Sequence, residues 1–253
     1  DITSQITGKW KIRTGIDYKS HKLNYYQVSE PWLGTGAFTQ SFAEFWDDVG
    51  LDGLSYEDQG YPGIDEGEGN GDYDLGEPYK DANGNGLWDN FREPRELSFY
   101  LNNIFEVPWM VVSAGVRFDG VNYNTQIWAD PQGKPSPTRP WYYADANDND
   151  IWDSNEAYDD DPGFANQKVI MTESDWFIKV SPRLGVSHII TDRATFTFNY
   201  GYYYQTPTYK NVYLNTNRQE DPEELFEEAS GAIGNATMNA QRTQSYEFGF
   251  NVQ

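Results

Sequence analysis

The chain contains no cysteine among its 253 residues, which excludes disulfide frameworks, thiolate metal sites and cysteine nucleophiles. Basic residues are also scarce: 18 Lys and Arg stand against 40 Asp and Glu, and the net charge is −22. Phosphate binding needs clustered Lys and Arg, so a nucleic-acid partner is not expected.

Long apolar runs and histidines are scarce as well. No stretch approaches the roughly 18–20 consecutive apolar residues of a transmembrane helix. No signal peptide is recognised at Asp1, where a basic region and an apolar core would be needed. His21 and His188 are far apart and neither lies beside a nucleophile motif. We therefore assign no catalytic residue and no residue for an organic cofactor, and we do not expect an enzyme.

Three copies of an acidic twelve-residue pattern are present instead. Oxygen-bearing side chains occupy positions 1, 3, 5 and 9 of each copy, and two copies add a glutamate at position 12. This spacing is typical of EF-hand-type calcium loops, in which alternate side chains and one backbone carbonyl surround a hard cation. The predicted metal ligands are Glu66, Glu68, Asn70, Asp72, Asp74 and Glu77 in the first copy, Asp81, Asn83, Asn85, Leu87, Asp89 and Glu93 in the second, and Asp145, Asn147, Asn149, Ile151, Asp153 and Glu156 in the third.

The copies differ in detail. Position 6 is Gly71, Gly86 or Asp150, all residue types that tolerate the positive φ of a sharp turn. In the second copy Arg92 occupies position 12, so Glu93 would have to coordinate through a shift of one residue. We expect this copy to be the weakest site.

The alternative to a metal site is a solvated acidic loop, which one isolated copy would indicate. Three copies with position 9 filled each time favour Ca²⁺. Residues 44–93 hold fifteen carboxylates against two basic residues, and residues 144–161 hold eight against none. Bound cations would offset this repulsion. Ca²⁺ is thus the expected cofactor, and we expect it to stiffen the long loops.

Large aromatic residues accompany the acidic patterns. They would either line an outer vestibule that stacks against a small-molecule, glycan or peptide ligand, or simply pack the loops, and the sequence leaves both interpretations open. The residues concerned are Trp46, Trp88, Trp141 and Trp152.

Outside the acidic segments, apolar and polar residues alternate with period two, which predicts strands with one apolar and one polar face. We expect an all-β fold in a single partial domain over 1–253, with long acidic loops over 28–95, 124–174 and 206–243. A short helix is expected to begin at Asp221-Pro222 and to end near Ser230. The seven predicted strands lie near 2–6, 10–27, 96–106, 110–123, 176–190, 194–205 and 244–253.

Two environments produce such strands: the core of a soluble sandwich, or an antiparallel transmembrane barrel whose apolar face meets lipid. The polar faces carry full charges, aromatic residues cluster at strand ends, and short connections alternate with long ones. Together these features favour the barrel. Because single-chain bacterial barrels close with an even number of strands, seven strands indicate a piece of a larger barrel.

Four segments near the end of the chain form an ordered set of motifs: Ser181-Pro182-Arg183-Leu184-Gly185-Val186-Ser187, Ile190-Thr191-Asp192-Arg193, Tyr204-Gln205-Thr206-Pro207 and Arg242-Thr243-Gln244-Ser245-Tyr246-Glu247. This order resembles the late barrel region of TonB-dependent outer-membrane receptors, especially the kind with calcium-like insertions in its outer loops. Residues 1–28 and 94–123 are similar to the earlier barrel strands of the same family, so the resemblance covers about half the chain.

This resemblance implies a barrel of about 22 strands with an N-terminal plug. Such a receptor lies in the bacterial outer membrane with its acidic loops outside, and imports a scarce ligand with energy from the inner membrane. Its partners would be the lipid bilayer, the rest of the barrel and plug, and, through the plug, the TonB system. The chain itself carries no recognisable plug.

Two other interpretations remain open. One is a complete, calcium-stabilised secreted or cell-surface all-β protein with an adhesive or structural role. The other is a binding partner that docks on a barrel through a strand edge.

Overall fold

The computed structural model describes residues 1–29, 38–41, 49–50, 52–54, 60–65, 67–69, 73–79, 86–89, 91–147, 149, 151–216, 219, 222 and 232–252. Its strands are β1 (Ile2–Thr7), β2 (Trp10–Ser20), β3 (Tyr26–Ser29), β4 (Phe38–Ser41), β5 (Arg95–Val107), β6 (Met110–Asn122), β7 (Gln126–Trp128), β8 (Tyr142–Ala144), β9 (Tyr158–Asp159), β10 (Gln167–Val169), β11 (Met171–Glu173), β12 (Phe177–Thr191), β13 (Ala194–Gln205) and β14 (Gln241–Val252), with one helix, α1 (Tyr209–Tyr213).

Seven long strands form one antiparallel sheet in the order β1-β2-β5-β6-β12-β13-β14, which confirms the predicted all-β antiparallel fold. Three of its connections are tight hairpins, closed by the pairs Thr7–Trp10, Val107–Met110 and Thr191–Ala194. The three remaining connections within this sheet are long and lie at its opposite end. None of the helices in the described part of the chain is long and apolar enough to cross a membrane.

The register aligns the alternating residues of neighbouring strands into continuous rows. On one face, Val186 of β12 lies opposite Phe198 of β13, which lies opposite Phe248 of β14. On the other face, Gly185, Asn199 and Glu247 form the neighbouring row. Side chains alternate between the faces of a strand, so one face of the sheet is apolar and the other is polar and charged.

The apolar face is exposed over most of its extent. Ile16 is 71% exposed, Ile178 64% and Phe248 69%, although each lies within a strand of the central sheet. A contiguous apolar surface of this kind marks contact with a partner or with a membrane.

Two prolines mark where ladders of the sheet stop, because proline has no N–H to donate. The predicted strand 10–27 ends at Ser20, which pairs with Arg95, because the preceding residue of the partner strand is Pro94. Beyond it, one isolated bridge between Leu23 and Arg92 continues the same register. The ladder between β12 and β13 likewise begins at Arg183, directly after Pro182.

The long connections contain more regular structure than their sequences indicate. The second one holds β7 to β11, arranged in a three-stranded and a two-stranded sheet. The third one begins with α1, which the sequence did not predict. The predicted helix from Asp221-Pro222 to about Ser230 lies outside the described residues except for Pro222.

Among the described residues, the buried apolar clusters lie in these connections and at the adjoining end of the long sheet. One cluster joins Val121, Tyr123 and Ile127 to Val212 and Tyr213 of α1. The Tyr213 hydroxyl donates to the Tyr123 carbonyl, and burial raises the pKa of Tyr213 well above its ordinary value, so it stays a donor. The third connection is thus anchored to the end of β6.

Candidate functional site

The third acidic pattern closes into one compact turn. Glu156, at position 12, is 7% exposed. Its two carboxylate oxygens accept from the backbone N–H of Ala146 at 3.0 Å and from that of Asp153 at 3.1 Å. Both ends of the pattern are therefore held together by the side chain that a calcium loop would use as its bidentate ligand.

The remaining predicted ligands of this copy face one another. The carboxamides of Asn147 and Asn149 donate to Asp153 Oδ2 at 2.9 and 3.3 Å. Asp145 is 3% exposed, and its Oδ1 accepts from the Asn149 N–H at 3.1 Å. The Ile151 N–H donates to Asn149 Oδ1 at 2.9 Å. The structure thus brings together all six residues that the spacing predicted for this copy.

Hydrogen bonds join these side chains to one another and to the backbone. Among the residues that the structure describes, no three Asp, Glu, His or Cys side chains are grouped so as to hold a metal ion. The carboxylates instead accept from backbone and carboxamide N–H groups. Oxygen donors without any Lys or Arg over 144–161 are chemically suited to a hard cation such as Ca²⁺. Calcium binding therefore stays a prediction.

The first pattern repeats part of this closure. Glu77, again at position 12, is 2% exposed and accepts from the Asp74 N–H at 2.7 Å, as Glu156 does from Asp153. Its other oxygen accepts from the Gly50 N–H at 3.2 Å. Glu68 is bound elsewhere, accepting from the Tyr61 hydroxyl at 2.7 Å. The other predicted ligands of this copy, Glu66, Asn70 and Asp72, lie outside the described residues.

The second pattern is described only over its later half. Gly86 has a φ of +75°, as its position in the turn requires, and Asp89 is buried. Glu93, predicted as a shifted ligand, pairs with Lys22 Nζ at 3.5 Å. Leu87, the predicted carbonyl ligand, has an exposed side chain. Asp81, Asn83 and Asn85 lie outside the described residues.

The aromatic residue at position 8 of each pattern packs against another ring. Tyr73 of the first copy stacks on Trp88 of the second, with centroids 4.6 Å apart and planes at 19°. Trp152 of the third copy meets Tyr143 and Tyr158 edge-on at 5.7 and 5.4 Å. These contacts favour loop packing over a ligand vestibule for the described rings; Trp46 lies outside the described residues.

A cavity of about 310 Å³ opens on the polar face of the sheet, next to the long connections. Its wall is charged and internally paired. Arg117 Nε donates to Asp119 Oδ1 at 2.7 Å, and Ser98 Oγ donates to the same oxygen at 2.9 Å. Lys19 lies 3.2 Å from Asp17 and 3.9 Å from Glu96.

The third connection closes one side of this cavity. Thr206, Met238 and Ala240 contribute to its lining. The Tyr209 hydroxyl of α1 donates to Glu96 Oε1 at 2.7 Å, and burial together with the Glu96 carboxylate raises the pKa of Tyr209 above its ordinary value. The sequence analysis assigned no functional role to these residues. Strand and loop meet here through residues that are more than a hundred positions apart in the chain, such as Tyr209 and Glu96.

Comparison with known proteins adds one match. A family model described as "TonB dependent receptor-like, beta-barrel" matches residues 2–253. No curated protein and no solved structure matches the chain.

Proposed function

Because the chain belongs to the TonB-dependent receptor-like β-barrel family, we propose that it forms part of an outer-membrane receptor that imports a scarce ligand. Proteins of this family are outer-membrane transporters and not enzymes. The observation that carries the proposal is the two-faced sheet, whose apolar face has no covering layer among the described residues.

The faces match the two environments of a barrel wall. Lipid contact accounts for exposed rings and aliphatic chains such as Ile16, Ile178 and Phe248. A wet lumen accounts for full charges on the opposite face, such as Arg13, Arg183 and Glu247. In a soluble sandwich the apolar rows would instead be buried against a second sheet.

The long connections would lie on the outside of the cell, since barrels of this class have short periplasmic turns and long extracellular loops. The cavity beside Lys19, Glu96 and Lys179 then lies beneath the outer opening of the lumen. Its mixed charges and its proximity to Tyr209 suit a polar ligand that arrives from outside.

We further propose that Ca²⁺ binds the acidic patterns and stiffens these loops. The compact turn over 145–156 supports this proposal, because its carboxylates and carboxamides already converge without a basic residue in the segment. Asp145, Asp153 and Glu156 would supply charge, and the Ile151 carbonyl a neutral oxygen. External Ca²⁺ is plentiful, so a dissociation constant of about 10⁻⁴–10⁻³ M would suffice.

Uptake by cells tests the transport proposal. Cells that carry the full-length receptor should deplete at least one component of a nutrient-limited medium that receptor-deleted cells leave behind. A protonophore should abolish the difference, because import across the outer membrane would draw on the energised inner membrane. Identical depletion profiles in both strains, measured by mass spectrometry of spent medium, would contradict a role in import.

A further inference from the structure

A second cavity, of about 300 Å³, lies on the same polar face, nearer its middle. Three arginines contribute to its wall: Arg13 of β2, Arg117 of β6 and Arg183 of β12. Arg13 and Arg183 belong to a single row of the sheet, in which Arg13 lies opposite Asn102, Asn102 opposite Gly115, and Gly115 opposite Arg183. The sheet register therefore places Asn102 and Gly115 between these two arginines.

Only glycine fits at position 115 without displacing a neighbour. A Cβ atom there would lie 2.7 Å from Asn102 Oδ1 and 3.1 Å from the Leu101 carbonyl oxygen, so the Asn102 carboxamide reaches across the glycine backbone. Gly115, Asn102 and Ser113 all contribute to the lining of the cavity. The Ser113 hydroxyl donates to Asn102 Oδ1 at 3.1 Å, which leaves the carboxamide N–H₂ group available to a ligand.

The charges of this cavity are unbalanced. Arg117 is paired with Asp119 at 2.7 Å. Among the residues that the structure describes, Arg13 and Arg183 form no ion pair; the Arg183 guanidinium lies over the Tyr203 ring at 4.9 Å. This is unexpected in a chain with 40 acidic residues and 18 basic ones.

We propose that this cavity binds a carboxylate-bearing small molecule. Guanidinium groups bind carboxylates through paired, charge-assisted hydrogen bonds, and Arg13 and Arg183 contribute to the cavity wall on either side of Asn102 and Gly115. A volume of 300 Å³ is at the lower end of small-molecule sites, which suits a compact di- or tricarboxylate. The inference rests on the proposed function, because it places the site in the lumen that an imported ligand crosses.

Binding of tricarballylate, a compact tricarboxylate, to the full-length receptor in detergent tests the proposal. Calorimetric titration should show saturable binding that weakens as salt is raised. Arg13→Gln and Arg183→Gln should each weaken it by about tenfold or more, the loss expected for one charge-assisted hydrogen bond. Lys11→Gln is the matched control, since Lys11 lies on the same face of β2 and outside the cavity. It should change the affinity by less than about threefold, as expected for a charge that does not contact the bound molecule.

The carboxylate could instead come from an acidic side chain of the same polypeptide. In that case tricarballylate does not bind the wild-type receptor, and Arg13→Gln and Arg183→Gln lower the thermal unfolding midpoint while Lys11→Gln does not. The proposal is overturned if tricarballylate does not bind the wild-type receptor, with or without that change in thermal unfolding, or if Lys11→Gln weakens binding as much as Arg13→Gln does. Binding is measured without transport, so a receptor that binds the probe but imports nothing contradicts only the transport proposal.

Discussion

Replacing Phe198 by lysine is expected to destabilise the folded barrel by about 2–4 kcal/mol, whereas Asn199→Lys should cost no more than about 1 kcal/mol. The two residues are neighbours in the middle of β13, at the same depth. Phe198 lies in the apolar row between Val186 and Phe248, and Asn199 in the polar row between Gly185 and Glu247. A charge introduced on the first row would enter lipid, and on the second it would enter water.

Urea unfolding of the full-length receptor, folded into lipid vesicles, measures this difference. Phe198→Leu is the control for the lost ring contact, because the Phe198 and Phe248 centroids are 5.0 Å apart. Leucine keeps the position apolar and should account for only a minor part of the lysine effect. Equal destabilisation by Phe198→Lys and Asn199→Lys would contradict a different environment on each face.

Removing calcium should accelerate proteolysis of the 145–156 loop by about tenfold or more, since 1.4 kcal/mol of lost local stability corresponds to a factor of ten. Asp145 and Glu156 are buried carboxylates, so an added cation offsets charge that is already removed from water. Glu156→Gln should abolish the calcium dependence. Asp161→Asn should preserve it, because Asp161 is an exposed acid of the same segment outside the pattern.

Cleavage rates in millimolar Ca²⁺ and in excess chelator, followed by mass spectrometry, report this effect. Terbium luminescence excited through Trp152 gives a second, site-specific reading, and Ca²⁺ should displace the terbium signal. If the loop is cut at the same rate with and without Ca²⁺, the turn is held by its own hydrogen bonds alone and the calcium proposal fails.

The long strands could be predicted from the sequence because period-two alternation is a local property. In β13 the pattern continues from Thr195 to Tyr202 and in β14 from Ser245 to Val252, and each strand needs only its own residues to be recognised. The ends of the ladders depend on neighbours. Pro94 ends the β2–β5 ladder from the partner strand, so nothing in 10–27 itself indicates Ser20 as the last residue.

The short strands and the helix within the long connections could not be predicted, for a similar reason. The three-residue strands Tyr142–Ala144 and Gln167–Val169 pair across more than twenty residues, and neither is long enough to show a period. Helix α1 has five residues and depends on the contact between Tyr213 and the Tyr123 carbonyl. Tertiary contacts, and not local propensity, determine these elements.

The acidic patterns lie between these cases. Their spacing predicted that Asp145, Asn149 and Glu156 meet within one turn, because ligand positions in a twelve-residue loop are a local property. The spacing did not indicate that Glu93 pairs with Lys22. Lys22 follows β2 and Glu93 precedes β5, so the pairing of these two strands brings them together. Nor did it indicate that Tyr73 stacks on Trp88. The one sequence feature that could have suggested this contact is that both patterns have an aromatic residue at position 8.

Nitroxide accessibility along β13 tests most directly which face of the sheet meets lipid. The chain has no cysteine, so single cysteines for spin labelling can be placed at consecutive positions from 195 to 200 without competing thiols from this domain. In vesicles, labels at 196, 198 and 200 should collide with oxygen and be shielded from a water-soluble nickel chelate, whereas those at 195, 197 and 199 should show the reverse. An accessibility profile without this two-residue period, or with the even positions shielded from both reagents, would contradict a membrane-facing apolar surface.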